Sequence, residues 1–306
     1  MKKLLIILLA TSVTIFAPSC SKKVKYTKEN TLHKGIIDYQ KGKYEKAIKE
    51  LKHAIYDVKG MTNQEIMVAK FTLANAYFKK GMYIDAIVEF EEFISLYPTS
   101  KKIPEALVKL AKSYYKISPS PERDLTYVYK AEEKALEVIN NYPTSRYVVE
   151  AERILRAAKK KEAEHYIKIA ELYEKLGKYY SASVYYNDVY DNFTDYIEKD
   201  YIEYKLGYCL LNVNKQYKDT IRKYKEKIKN IEKKIKKAKT SEEKEVLTNR
   251  KTLLEEQLNT FLDRIETGKK RGIVILENAY KMYPKSPYRK SIKALLKHYS
   301  KGGKKD

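Results

Sequence analysis

The chain has 306 residues, 63 Lys and Arg against 40 Asp and Glu, a net charge of +23, and only 10 Gly and 8 Pro. Such a balance could serve nucleic acid or anionic lipid, but lysine far exceeds arginine and is spread among many glutamates, with no nucleic-acid-reading module. An AT-rich coding bias toward Lys, Tyr, Asn and Ile is the plain explanation. Glycine and proline sit at punctuation points and no stretch alternates for long, so the mature chain is predicted to be all-α.

Met1-Lys2-Lys3 and the apolar run after them, broken by Pro18, read as a secretory signal peptide over residues 1–19. Its end, Ala17-Pro18-Ser19-Cys20, resembles the lipobox of bacterial lipoproteins. That resemblance implies an acylated Cys20 as membrane anchor, and Ser21 resembles the outer-membrane sorting class. Ala17 and Ser19 also suit ordinary signal peptidase, which would release a soluble periplasmic protein. Residues 20–28 are then a linker. The other cysteine, Cys209, lies in an apolar stretch and reads as a small buried hydrophobe.

Three related phrases organise the mature chain: Tyr97-Pro98-Thr99-Ser100, Tyr142-Pro143-Thr144-Ser145 and Tyr283-Pro284-Lys285-Ser286. Each closes a helical apolar pattern and precedes another, the mark of a stacked helical repeat. Proline stops the helix, and the serine is expected to cap the next one. Residues 71–98 look like a tetratricopeptide repeat, with Ala74 small at the helix contact, Tyr77 between the helices, Gly81 in the turn, and Phe90 and Phe93 facing the next unit. Gly35, Tyr39, Gly42, Tyr44 and Ala47 supply an earlier repeat; Ala111, Tyr114, Ala131 and Ala135 a third, enlarged at Ser118-Pro119-Ser120-Pro121. Ala170, Tyr173, Gly177, Tyr179 and Ala182 supply the fourth.

The fifth repeat reads as split, its first helix over about residues 201–213 and its second over about 272–283. Between them Ile221, Tyr224, Ile228, Ile231, Ile235 and Ala238, then Leu247, Lys251, Leu254, Leu258, Phe261 and Ile265, step by three and four. That is a coiled-coil seam, with a capping box at residues 240–243 opening the second arm. A lysine-rich first arm and a glutamate-rich second favour an antiparallel hairpin. Arms of about 25 residues would project roughly 35–40 Å, as a solvated spacer or as a partner-contacting arm. The expected architecture is an all-α tetratricopeptide-repeat solenoid of about five helix pairs. Residues 29–214 hold repeats 1–4 and the first helix of repeat 5, 215–270 the hairpin insertion, 271–300 the rest of repeat 5 and a capping helix, and 301–306 a disordered basic tail.

Five such units behind a lipobox, with the order from Ala131 through Tyr142-Pro143-Thr144-Ser145, Ala151, Lys159-Lys160-Lys161 and Ala170-Glu171-Leu172-Tyr173 to Lys178-Tyr179, resemble the BamD family of outer-membrane assembly lipoproteins. The resemblance covers residues 20–215 and resumes near 272. It implies a lipid-anchored protein on the periplasmic face of the outer membrane. Its implied partners are the periplasmic domains of a β-barrel insertase and unfolded barrel precursors, with other assembly lipoproteins besides, and no cofactor. The hairpin departs from the family pattern.

Independently of that resemblance, stacked repeats leave a groove lined by first helices in which a peptide can lie. Phe71, Asn75, Phe78 and Lys79 are the candidates to line it, with the phenylalanines as anchors and Asn75 bonding peptide backbone. The competing reading places both phenylalanines in the core between repeats. His33, His53, His165 and His298 have no metal-ligand spacing, and neither a phosphate loop nor a nucleophile elbow occurs. No catalytic residue is therefore named. A scaffold of another envelope machine, for pilus assembly or envelope bridging, is the alternative function, since fold does not settle function.

Overall fold

Short runs of good helix formers, cut by Gly, Pro and Asn, dictate many helices joined by tight turns. The structure, a computed structural model, describes residues 28–301 and carries twelve α-helices and no strand within them. The signal peptide, Cys20 and the end of the basic tail lie outside the described residues. By contact density the chain divides into two units, residues 1–73 and 74–306.

In the first unit α1 (Lys28–Gln40) packs on α2 (Tyr44–Tyr56). Gly35 permits their close crossing: a Cβ there would stand 2.8 Å from Leu51 Cγ. Thr62 and Glu65 cap α3 (Asn63–Lys80) reciprocally, Glu65 N–H to Thr62 Oγ1 at 3.3 Å and Thr62 N–H to Glu65 Oε2 at 2.7 Å.

The second unit continues with α4 (Tyr83–Leu96), α5 (Ile103–Ile117), α6 (Thr126–Asn141), α7 (Val148–Lys175), α8 (Tyr179–Asn192) and α9 (Lys199–Leu211). It ends with α10 (Val213–Lys237), α11 (Ser241–Met282) and α12 (Arg289–Lys301). Helices pair as α5/α6, α7/α8 and α9/α11, and each pair packs on the next. The fold class is the all-α tetratricopeptide-repeat solenoid.

The turns at Gly42, Gly81 and Gly177 share one geometry. At Gly81 φ is +82°, its N–H reaches Phe78 O at 3.1 Å, and Met82 N–H reaches Tyr77 O at 3.0 Å. This is a Schellman end, which wants glycine in the left-handed region. Nothing lies within 4 Å of a Cβ built at Gly81, so a substitution there meets only backbone strain. Gly81→Ala is expected to lower stability by about 1 kcal/mol and Gly81→Asn by less, read as a shift in urea midpoint at constant slope.

Between repeats the Tyr-Pro-x-Ser phrase also repeats its geometry. Ser100, Ser145 and Ser286 N–H groups return to Tyr97, Tyr142 and Tyr283 O at 3.0, 2.9 and 3.1 Å. Each serine Oγ then accepts from the N–H two residues on, at 3.3, 3.3 and 3.1 Å. The serine was expected as the helix cap. It instead closes a turn just ahead of the helix, because α5 and α7 start three residues after it.

The hairpin is α10 against the first part of α11. Its antiparallel register is set by Tyr217 on Phe261 (centroids 4.9 Å), Tyr224 Oη donating to Gln257 Oε1 (3.0 Å) and Lys251 paired with Glu232 (2.9 Å). Ile228, Ile231 and Leu258 are buried in the seam. The second arm does not stop before repeat 5, where a separate helix was expected: α11 is continuous for 42 residues. Gly268 and Gly272 stay helical because α9 presses on them, with Leu210 O and Gly207 O at 3.3 and 3.2 Å from their would-be Cβ atoms. At the other root only Asn212 interrupts the chain between α9 and α10. Its buried amide donates to Tyr208 O at 2.7 Å.

Candidate peptide-docking face

First helices of successive repeats are stitched side to side by polar clasps. Lys109 of α5 donates to Asn75 Oδ1 of α3, and also to Glu105 Oε1 at 2.7 Å. Lys112 of α5 pairs with Glu150 of α7 at 2.5 Å. Tyr201 Oη of α9 donates to Glu171 Oε1 of α7 at 2.9 Å, and Lys205 of α9 pairs with Glu174 at 2.6 Å. Burial pulls the Lys109 ammonium below its ordinary range, against the pull of Glu105. Burial raises Glu105, but hydrogen bonds from Lys109 and Tyr147 outweigh it and leave the carboxylate below its ordinary range. Clasps of this kind fix one helix against the next and leave a charged, structured face.

The four groove candidates fare differently. Phe71, in the first unit, is half-buried. Asn75 is 3% exposed and its Oδ1 is taken by Lys109. Phe78 is half-buried and edge-on to Tyr83 and Phe90, with centroids 5.7 and 6.4 Å away. Lys79 is exposed. Asn75 is thus taken up by packing within the second unit, while Phe71 and Phe78 are each only half-buried.

A run of half-buried tyrosines at the end of the array was not singled out from the sequence. Tyr204 stacks on Tyr288 (centroids 5.1 Å, planes 10° apart), Tyr201 leans on Tyr288 at 5.5 Å, and Tyr208 meets Tyr204 at 6.3 Å and Tyr179 at 6.1 Å. Burial, with Tyr179 alongside, pushes the Tyr208 phenol up to about 12. The signal was available: Tyr201, Tyr204 and Tyr208 fall at three- and four-residue steps on one helix face. Tyrosine offers apolar area with a polar tip, which suits protein recognition.

Beside this run Glu203 is 7% exposed. Its Oε1 accepts from Tyr283 Oη at 3.3 Å, and its Oε2 has no partner among the described residues. Burial raises its pKa above the ordinary carboxyl value. An acid raised by folding costs stability as pH climbs from its unfolded value through its folded one. Glu203→Gln is therefore expected to stabilise the protein at pH 8 by on the order of 1 kcal/mol. The gain should vanish below about pH 4, as urea midpoints at the two pH values will record.

The histidines make local contacts: His53 Nδ1 lies 2.6 Å from Asp57, and His165 Nδ1 lies 2.5 Å from Pro121 O, holding the enlarged turn to α7. Among the described residues no group of three or more His, Cys, Asp or Glu could hold a metal ion. No described helix is long and apolar enough to cross a membrane.

The family model described as "YfiO: Outer membrane lipoprotein" matches residues 25–220, so the hairpin beyond its first turns falls outside that match. A protein of Aquifex aeolicus (strain VF5), named as a putative outer membrane protein assembly factor BamD, is 32% identical over 279 residues, 91% of each chain. Among solved structures, the TPR2AB domain of yeast Sti1 in complex with pHSP90 is 15% identical, covers 89% of this chain and 98% of its own, and has a TM-score of 0.38, too low to weigh. The match over most of the chain and the identity to the Aquifex protein agree with the resemblance carried by residues 131–190. The chain belongs to the YfiO/BamD family of outer membrane lipoproteins.

Proposed function

We propose that this protein is a non-catalytic scaffold in the assembly of β-barrel outer-membrane proteins, held by lipid on Cys20 at the periplasmic face of the outer membrane. The observation that carries the reading is the 32% identity, over 91% of the chain, to a putative outer membrane protein assembly factor. In this reading the C-terminal tyrosine run meets the periplasmic domains of the barrel insertase. The face of the first helices, with Lys79 exposed and Phe78 half-buried, receives precursor segments. Stacked, partly exposed aromatics supply anchors of the kind that dominate interface energies.

The test is affinity capture of the tagged protein from gently solubilised envelope, with co-purifying proteins identified by mass spectrometry. Stoichiometric recovery of a β-barrel protein with periplasmic domains is expected, and Tyr204→Ala with Tyr288→Ala should reduce it severalfold. Recovery of pilus or peptidoglycan-linked proteins in its place would favour the second reading, an envelope-bridging scaffold, to which the projecting hairpin is suited. Cys20→Ala should release the protein from the membrane fraction.

A further inference from the structure

The first arm of the hairpin carries twelve Lys and Arg against three Asp and Glu between residues 215 and 239. The second arm is rich in acids, and cross-neutralisation was the expected use of them. The structure uses them otherwise. Glu255 pairs with Lys251 and Glu266 with Lys270, both within α11, and Glu243 accepts from the Lys239 backbone N–H. On the first arm the ion pairs are Arg222 with Asp219 and Glu232 with Lys251. All eleven lysines of that arm are exposed, and none has a carboxylate within ion-pairing distance among the described residues.

Lys225, Lys229, Lys233 and Lys237 form one ridge at four-residue spacing. Like charges at that spacing oppose each other and weaken the helix. The arm is therefore an uncompensated cationic rod, roughly 37 Å long at 1.5 Å per residue. No large apolar side chain is exposed along it; the second arm, however, exposes Val246 (62%) in its first two turns, Leu253 (60%) about halfway along and Leu262 (41%) nearer the root, all outside the seam.

We infer that the hairpin is a membrane-surface arm that lies against anionic lipid headgroups. Three features select that occupant. Lysine is a compact point charge suited to diffuse phosphate, whereas a shaped acidic site on a protein would favour the planar fork of arginine. The first arm exposes no apolar anchor of the sort a protein interface needs at its centre. One hairpin thus carries both exposed lysines, on its first arm, and exposed aliphatic residues, on its second, the two ingredients with which interfacial segments hold a bilayer surface. The inference rests on the proposed outer-membrane location for its setting, but its chemistry is testable without it.

The experiment uses the mature chain with Cys20→Ser, so that no acyl chain contributes, and measures co-sedimentation with vesicles. Binding is expected to vesicles of phosphatidylethanolamine with about one-third phosphatidylglycerol, and to fall steeply with salt. Vesicles lacking the anionic lipid should bind at least tenfold less. Replacing Lys225, Lys229, Lys233 and Lys237 by Gln should lower affinity tenfold or more, because each exposed lysine is drawn to the anionic surface. Helicity should be kept, since that change removes repulsion. The same change at Lys41, Lys43, Lys46 and Lys49, exposed on the first repeat, should matter little. Val246→Ser with Leu253→Ser should lower binding severalfold. Equal binding to neutral vesicles, an equal loss from the first-repeat lysines, or tighter binding to soluble polyglutamate than to vesicles would each overturn the inference. Loss of insertase capture with vesicle binding intact would count against the assembly reading alone.

Discussion

Gly207→Val lowers stability by about 2–3 kcal/mol, the cost of forcing extra volume into a packed interior. A Cβ at Gly207 would stand 2.5 Å from Leu276 Cγ and 2.7 Å from its Cδ2. Leu276 is fully buried in the cluster with Leu211, Ala279 and Ile292, so its branch point has nowhere to go. Opposite, Gly272 approaches Gly207 O and Leu210 Cβ, so backbone moves with backbone. Leu276→Ala alone should cost about 2–5 kcal/mol by leaving a cavity. Together the two changes should cost less than their sum by at least about 1 kcal/mol, because the valine fills what the alanine empties. Urea denaturation of the four proteins closes that cycle. Additive losses would mean that α9 and α11 do not meet at these residues. The contact also joins the hairpin to the array, since α11 carries the second arm directly into it.

Much of this was legible in the sequence because it is local. Glycine and proline mark turns through their own φ limits, and the seam residues from Ile221 to Ile265 declare themselves by spacing alone. The continuity of α11 was not legible. Gly268 and Gly272 look like breaks until it is known that α9 packs against them and needs them small. The role of Asn75 was missed for a similar reason: its partner, Lys109, lies 34 residues away on the next first helix, and pairings across repeats have no signature within one repeat. The opposite charges of the arms pointed to the antiparallel hairpin that forms, but among the described residues the ion pair that crosses it is Lys251 with Glu232. Opposed arms of opposite sign suggested mutual neutralisation, but Glu255 and Glu266 pair within their own helix, where four-residue spacing brings partners together without ordering a second arm.

Tyr186→Ala should cost about 3–5 kcal/mol, as large aromatic truncations in cores do. Tyr186 is fully buried among Ala163, Ala170, Ala182, Ile202, Leu206 and Cys209, side chains from α7, α8 and α9. It therefore holds the fourth repeat to the first helix of the fifth. Its Oη donates to Glu174 Oε2 at 3.2 Å, and burial pushes the phenol far above its usual range, so it stays protonated. Tyr186→Phe should lose only about 1 kcal/mol or less, because Glu174 keeps its pair with Lys205 at 2.6 Å. The gap between the two substitutions separates cavity from hydrogen bond. In a repeat array stability is a sum of units and nearest-neighbour interfaces, so weakening this interface should also split the unfolding transition. Cys209 supplies the probe: it is buried in the same cluster, and burial holds its thiol well above the ordinary range and so unreactive. In a Cys20→Ser background, Tyr186→Ala should speed modification of Cys209 by a thiol reagent in native buffer, while Tyr186→Phe should leave it slow. Equal rates in both would place the opening elsewhere and leave Tyr186 as packing within its own repeat.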